Sequence, residues 1–167
     1  ELFGYLNPEN KEKLVNVFTD KDLMELIANS YTDDIVDFLT EMPANLVTRI
    51  LKVSDKDTRA DINHLLNYKE RTAGAIMTTE YVTLLSTSTV EEALASIRKI
   101  GREAETIYTN FVIDAKRNLV GTIDLDDLIF SDPKEPIVNV MNTDFRVVDV
   151  YTDQEEVAQD FKRYDLN

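Results

Sequence analysis

Residues 141–148 of this chain repeat the pattern of residues 77–84, and each copy begins at a methionine, Met77 or Met141. An acidic pair and then a basic pair follow each copy at the same spacing. These pairs are Glu91-Glu92 and Arg98-Lys99 in the first copy, and Glu155-Glu156 and Lys162-Arg163 in the second. A tandem repeat of this length indicates one supersecondary unit that the chain uses twice.

The first copy has the hydrophobic pattern of a βαββα unit. Ser88 or Thr89 can cap its first helix, Gly101 is expected to end that helix, and Asp124 can cap the second helix. The predicted strands are residues 81–84, 107–113 and 119–123. The second copy predicts a strand at 145–150 and one helix, after which the sequence ends. We therefore expect the second unit to be incomplete and the sequence to be a fragment.

Residues 1 to 70 have only helical periodicity. Apolar residues recur at i, i+3 and i+4, and helix-start signals fall about every 12 residues. The signals are Asn7-Pro8, Thr19-Asp20, Thr32-Asp33, Met42-Pro43 and Ser54-Asp55. Helices this short are unstable alone, so the pattern predicts an armadillo-like superhelix in which each pair covers the apolar face of its neighbour. We expect earlier helices of the array to precede this sequence.

Composition restricts the function. The net charge of −14 argues against nucleic acid as a partner, because phosphates would be repelled, and it favours a cation. The absence of cysteine excludes disulfides and thiolate metal sites and suits the cytosol, while a single histidine argues against zinc. No apolar run approaches about 18 residues, so no membrane span is predicted. Carboxylate pairs are too numerous for any of them to indicate acid–base catalysis, and we expect a regulatory module rather than an enzyme.

Many of the acidic residues fall in three windows that contain no basic residue. These windows are residues 22–48, 118–133 and 147–161. Asp33, Asp37 and Glu41 are spaced i, i+4 and i+8, which aligns them along one ridge of a helix. Two acidic faces repel each other at close approach, and a divalent cation between them would reverse the sign. Magnesium suits such faces, because it takes one or two carboxylates and keeps several waters. The alternative interpretation is a solvated acidic surface without a ligand.

The order of the segments resembles the cytosolic part of the MgtE family of magnesium channels. The resemblance rests on a helical array followed by residues 68–77, 78–82 and 104–108, and the βαββα repeats resemble a pair of CBS (cystathionine-β-synthase) domains. It implies a multidomain α and α+β chain: a helical N domain at 1–70, a first CBS repeat at 71–135 and a truncated second repeat at 136–167.

The resemblance also implies a location and partners. The chain would lie at the cytoplasmic face of the membrane, form a homodimer through its CBS domains, and continue into a transmembrane pore domain. It would sense Mg2+ and close the pore.

Carried over by motif, the implied metal ligands come from two parts of the chain. They are Asp33 and Asp37 in the acidic helix of the N domain, and Asp153, Glu155 and Asp165 in the second repeat. Asp153 has a purely structural alternative as a helix N-cap, with acids in the first turn that follows. Both roles are compatible, since capping uses one carboxylate oxygen.

CBS pairs often bind adenine nucleotides, so the resemblance also implies a possible nucleotide site. Asp127 occupies the position of a ribose-binding aspartate, three residues after Asp124 and six after Gly121. Asp124 replaces the usual hydroxyl residue, and Asp126 adds negative charge near the phosphates, so we expect weak or absent ATP binding at this half-site. The alternatives to magnesium sensing are a nucleotide-sensing CBS protein with a helical interaction scaffold, and an acidic scaffold without a ligand.

Overall fold

The structure, a computed structural model, describes residues 8–164, apart from the side chains of residues 8, 9, 11 and 12. Contacts divide the described chain into two compact units. The first contains the residues up to Thr79 together with those from Val148 onward, and the second contains Glu80–Val147. The domain limits inferred from the sequence, at 70/71 and 135/136, remain predictions.

The first unit consists of helices. They are α1 (Pro8–Val17), α2 (Asp20–Ala28), α3 (Thr32–Thr40), α4 (Ala44–Val53), α5 (Lys56–Leu66), the single turn α6 (Ala73–Ile76) and, from the far end of the chain, α9 (Gln154–Tyr164). The second unit contains β1 (Thr83–Leu85), α7 (Val90–Ile100), β2 (Thr109–Ile113), β3 (Leu119–Asp124), α8 (Leu125–Phe130) and a 3-10 turn (Ile137–Asn139). Helices followed by a βαββα unit confirm the predicted fold class.

Side-chain caps explain why two of these helices, α2 and α5, begin where the sequence predicts. Thr19 and Asp22 form a capping box at α2, in which the Thr19 backbone N–H donates to Asp22 Oδ2 at 2.8 Å. At α5, Asp55 Oδ1 accepts from the backbone N–H groups of Asp57 at 2.9 Å and Thr58 at 3.0 Å. Hydrogen bonds from the side chain and backbone of Thr19 lower the pKa of Asp22, and those from Thr58 lower the pKa of Asp55. Their stabilisation is therefore present above the ordinary aspartate pKa and is lost as the pH falls through the lowered value.

Alternate helices pack together, so that α2 contacts α4 and α3 contacts α5. Leu23 and Ile62 are fully buried in the resulting core. Arg49 of α4 holds the turn between α1 and α2, because its guanidinium donates to the carbonyl of Phe18 at 2.6 Å and to Asp20 Oδ1 at 2.9 Å. This arrangement agrees with the predicted array of short helices, each too short to be stable without its neighbours.

The second unit is built on a three-stranded sheet in the order β1-β2-β3. β1 pairs with β2 in parallel, which requires α7 as the crossover, and β2 pairs with β3 as an antiparallel hairpin. In the hairpin turn, Arg117 has a left-handed φ of 66°, and Asp114 Oδ1 accepts from the backbone N–H groups of Lys116 and Asn118, each at 2.8 Å. A side-chain hydrogen bond from Asn118 is the largest cause of the lowered pKa of Asp114.

One face of the sheet packs against the two helices of this unit. Val90, Val112 and Leu128 are fully buried there. Gly101 ends α7 as predicted, but its φ of −67° is ordinary, so the glycine is not needed for a left-handed turn. It is needed for space, since a Cβ at this position would lie 2.6 Å from the Ile97 carbonyl oxygen.

Two sequence expectations are wrong. No strand forms at 145–150, because a strand needs a ladder partner and these residues pair with no strand of the described chain. Asp124 occupies the N-cap position of α8, but its side chain does not cap the helix. Its Oδ1 instead accepts from the Thr109 hydroxyl at 2.6 Å, since Thr109 is its partner across the β2–β3 ladder. The ends of the predicted strands also differ by up to two residues from the observed ones.

Replacing Leu23 by alanine should lower the free energy of unfolding by about 2–5 kcal/mol, because it leaves a cavity in a fully buried position of the helical core. Urea unfolding followed by far-ultraviolet circular dichroism measures the change. Met24→Ala is the matched control, since Met24 is the next residue on the same helix and is 47% exposed. Equal losses in the two variants would contradict the packing described here.

Candidate functional site

Two distant segments of the first unit, residues 71–74 and 150–154, are joined by backbone hydrogen bonds, and we refer to them together as the clasp. The N–H groups of Ala73 and Gly74 donate to the carbonyls of Thr152 and Val150, each at 2.8 Å. The Gln154 N–H donates to the carbonyl of Arg71 at 2.9 Å. The clasp therefore fixes the start of α9 beside the segment that follows α5.

Aromatic packing holds the clasp against the end of α5. A Cβ on Gly74 would lie 2.5 Å from the ring of Tyr68, so the ring covers the backbone at a distance that only glycine permits. Tyr68 also contacts the ring of Tyr151, with centroids 6.2 Å apart, and the ring of His64, with centroids 5.4 Å apart. His64, one turn before Tyr68, is thus a packing residue.

The first turn of α9 carries two of the predicted metal ligands, and both have partners. Asp153 caps the helix, since its Oδ1 accepts from the Glu155 N–H at 2.8 Å. This confirms the structural role, and it leaves Oδ2 for a cation. The Glu155 carboxylate forms an ion pair with the Arg71 guanidinium, and both side chains are largely exposed.

An open cleft of about 290 Å³ lies beside the clasp. The residues that line it include Val36, Asp37, Thr40, Tyr68, Arg71 and Gln154. Asp37 comes from α3, whereas Gln154 lies between the two acidic residues at the start of α9. The structure thus brings a predicted ligand from the helical region to the same cleft as the segment that carries Asp153 and Glu155.

The other predicted ligands are less closely defined. Asp33 is half-buried in the first turn of α3, one helical turn before Asp37, which is exposed. Glu41, the third acid of the predicted ridge, is exposed at the C-cap of the same helix. Asp165 lies outside the described residues.

A second acidic group lies in the other unit. Carboxylate oxygens of Asp124, Asp126 and Asp127 all lie within 4.8 Å of one another at the start of α8, and all three side chains are exposed. All three residues fall in the window 118–133 that contains no basic residue, where the sequence predicts a helix cap at Asp124 and a possible ribose contact at Asp127. Their convergence was not foreseen, because Asp124 was assigned to capping rather than to a bond with Thr109.

Sequence reasoning also missed Arg71. The three windows without basic residues are defined along the sequence. They could not reveal the ion pair, because Arg71 is separated from Glu155 by 84 positions. The signal that could have found it is its place directly before the βαββα repeat, where the chain changes from one structural pattern to another. Arg71 further has a left-handed φ of 65°, which is uncommon for a residue with a Cβ.

Comparison with known proteins agrees with this architecture. Residues 1–71 match the model of the MgtE intracellular N domain, and residues 73–133 match the CBS domain. The chain is 36% identical to the cytosolic domain of the Mg2+ channel MgtE in complex with ATP, with a TM-score of 0.91 over 98% of this chain and 67% of that one. It is 33% identical to the soluble part of a magnesium transporter, with a TM-score of 0.90 over 98% of this chain and 70% of that one.

The chain belongs to the MgtE family. It is also 37% identical over 99% of its length to the magnesium transporter MgtE of Thermus thermophilus, and it spans 38% of that protein. Within residues 8–164, no helix is long and apolar enough to cross a membrane.

The donor set in this MgtE-family chain fits a magnesium ion. Carboxylates are hard oxygen ligands, and those of Asp37, Asp153 and Glu155 are exposed, so each could hold an ion that keeps most of its waters. Gln154 adds an amide side chain to the cleft. The sulfur and imidazole ligands that zinc prefers are not among the residues that line it.

Replacing Asp153 by alanine should lower the free energy of unfolding of the first unit by about 0.5–2 kcal/mol, because the N–H of Glu155 loses its acceptor. Asp153→Ser is the matched control, since serine also caps helices but carries no charge. Thermal unfolding of both variants in a chelator measures the cap alone. A serine variant as unstable as the alanine variant would show that the carboxylate charge, rather than the cap, is what stabilises α9.

Proposed function

We propose that this chain is the magnesium-sensing regulatory part of an MgtE-type magnesium channel or transporter. The observation that carries the proposal is that Asp37 of α3 and the start of α9 meet at one cleft. The proposed ligands are Asp33, Asp37, Asp153 and Glu155, together with Asp165 outside the described residues. Membership of the MgtE family indicates magnesium as the physiological ion, and carboxylate oxygens are ligands that bind it.

The proposed mechanism is electrostatic. Two carboxylates about 4 Å apart repel by ~1 kcal/mol in bulk water and by ~4 kcal/mol at an effective dielectric of 20. Without magnesium, this repulsion between α3 and the start of α9 favours separation of the helical region from the second repeat. A bridging ion removes it, so that high magnesium favours the closed form and closes the pore.

A ligand shifts such an equilibrium only through its preference for one form. Moving a population from almost entirely open to almost entirely closed needs a differential affinity of about 10⁴. A hydrated magnesium ion on one or two exposed carboxylates cannot supply this preference alone. Several weak sites acting together can, and they also make the response steep.

The remaining assignments follow the relatives and are part of the same proposal. The longer protein would continue into a transmembrane pore, and this part would lie at the cytoplasmic face of the membrane. It would act without catalysis and would form a homodimer through its CBS domains. The curated Thermus protein is a magnesium transporter, and one solved relative is described as a channel.

Asp37→Asn should raise the magnesium concentration that gives half-maximal compaction by about fivefold or more, the equivalent of ~1 kcal/mol or above. Small-angle scattering of the chain across a magnesium titration, without nucleotide, measures this concentration. Asp61→Asn is the matched control, because Asp61 is an exposed aspartate of α5 that does not line the cleft. A radius of gyration that magnesium leaves unchanged in the unaltered chain would disprove the proposal.

Adenine-nucleotide sensing is the second candidate, because a solved relative at 36% identity is in complex with ATP. In this chain, the acidic group at the start of α8 opposes it. Asp127 is in the ribose-binding position, but Asp124 and Asp126 bring their carboxylates within 4.8 Å of it and would repel the phosphates. We therefore propose that ATP binds weakly at this half-site.

Asp124→Thr should tighten ATP binding by about fivefold or more, because it removes one charge beside the phosphates and restores a hydroxyl residue. Titration with a fluorescent ATP analogue measures the affinity. Asp132→Asn, which removes a charge outside the acidic group, is the control. Micromolar affinity in the unaltered chain would contradict the expected weak binding and would favour the nucleotide-sensing function.

A further inference from the structure

We propose that Arg71 is a tethered cation that competes with the divalent ion for Glu155. In the metal-free chain, its guanidinium neutralises the carboxylate, and it must leave that carboxylate before a metal can bind there. This inference rests on the proposed magnesium site and adds a regulator to it. Arg71 is then the element that sets how much magnesium the site requires.

The geometry gives Arg71 this role in two independent ways. Its side chain forms the ion pair with Glu155, and its backbone carbonyl accepts from Gln154, the residue directly before Glu155. The carbonyl bond keeps the arginine beside the start of α9 when the ion pair opens. The guanidinium is therefore present at high local concentration, and it can return as soon as a metal dissociates.

The ion pair can also exchange. The two side chains are 62% and 70% exposed, so water and ions reach both of them. Exposed pairs of this kind contribute little to stability, because solvent screens them and both side chains lose freedom. Although the ion pair contributes little to folding, its guanidinium can still compete with a weakly held, hydrated ion for the carboxylate oxygens of Glu155.

The backbone conformation supports a role for the side chain. Arg71 has a φ of 65°, in the left-handed region that glycine and asparagine adopt most easily. The clasp by itself would be satisfied by either of those residues. An arginine at this position is explained by the ion pair of its guanidinium with Glu155, and Arg71 also lines the cleft that contains Asp37.

If Arg71 competes with magnesium, removing Arg71 and removing a ligand should change magnesium affinity in opposite directions. Removing a carboxylate from the cleft weakens magnesium binding, whereas removing Arg71 should strengthen it. A purely structural role for Arg71 predicts weaker binding, because a loosened clasp would misplace the start of α9. The direction of the change therefore separates the two roles.

The test compares Arg71→Asn with Arg117→Asn in the full chain. Both arginines have a left-handed φ, 65° and 66°, and asparagine tolerates this conformation, so the two variants match in backbone and in charge. Arg117 lies in the β2–β3 hairpin and does not line the cleft. Arg71→Asn should lower the magnesium concentration for half-maximal compaction by about threefold or more, while Arg117→Asn should leave it within about twofold.

Glu155→Gln completes a double-mutant cycle. In the Glu155→Gln variant, Arg71→Asn should no longer change the magnesium concentration for half-maximal compaction, because the carboxylate for which Arg71 and the ion compete has been removed. If Arg71→Asn fails to fold, Arg71→Lys takes its place, since the loss of the guanidinium fork weakens the pair and should also lower the requirement.

The outcomes separate this inference from the function on which it rests. An unchanged or raised magnesium requirement in Arg71→Asn, with normal compaction of the unaltered chain, overturns the competition and leaves the magnesium sensor intact. Absence of any magnesium response in the unaltered chain overturns both. A lowered requirement that persists in the Glu155→Gln background also overturns the competition, because it shows that Arg71 acts through general charge.

Discussion

The backbone hydrogen bonds of the clasp are the interaction on which the rest of the candidate site depends. They join residues 71–74 to residues 150–154, which are far apart in sequence, and they place the start of α9 beside the end of α5. Tyr68 packs on Gly74 so closely that no other residue would fit there. Without this join, the start of α9, with Asp153 and Glu155, would not be held beside the segment that follows α5.

The sequence was most informative where structure is determined locally. Thr19 and Asp55 mark helix starts because their own side chains satisfy backbone groups two or three residues away. The strand expected at 145–150 was wrong, because a strand depends on a partner elsewhere in the chain. The capping assigned to Asp124 was wrong for the same reason, since Thr109 on the neighbouring strand binds that carboxylate.

The sequence pointed to the acids of the candidate site but not to its base. Helical spacing aligned Asp33 and Asp37 on one ridge, and the family resemblance implied these two residues, with Asp153 and Glu155, as metal ligands. That assignment stays a prediction. Arg71 is invisible to any count of charges along the chain, because the ion pair spans 84 positions. Arg71 changes the physical account, because Glu155 contacts a protein cation as well as solvent. Under the proposed function, a metal at Glu155 would displace this partner.

The central claim is that carboxylates of α3 and of the start of α9 bind the same divalent ion. Paramagnetic relaxation by Mn2+, which prefers the same oxygen ligands, tests it most directly by nuclear magnetic resonance of the chain. The account predicts that the amide signals of Asp37 and Gln154 broaden together at low Mn2+ and that excess Mg2+ restores both. Broadening of only one of the two signals, or broadening of both that Mg2+ does not reverse, would contradict it.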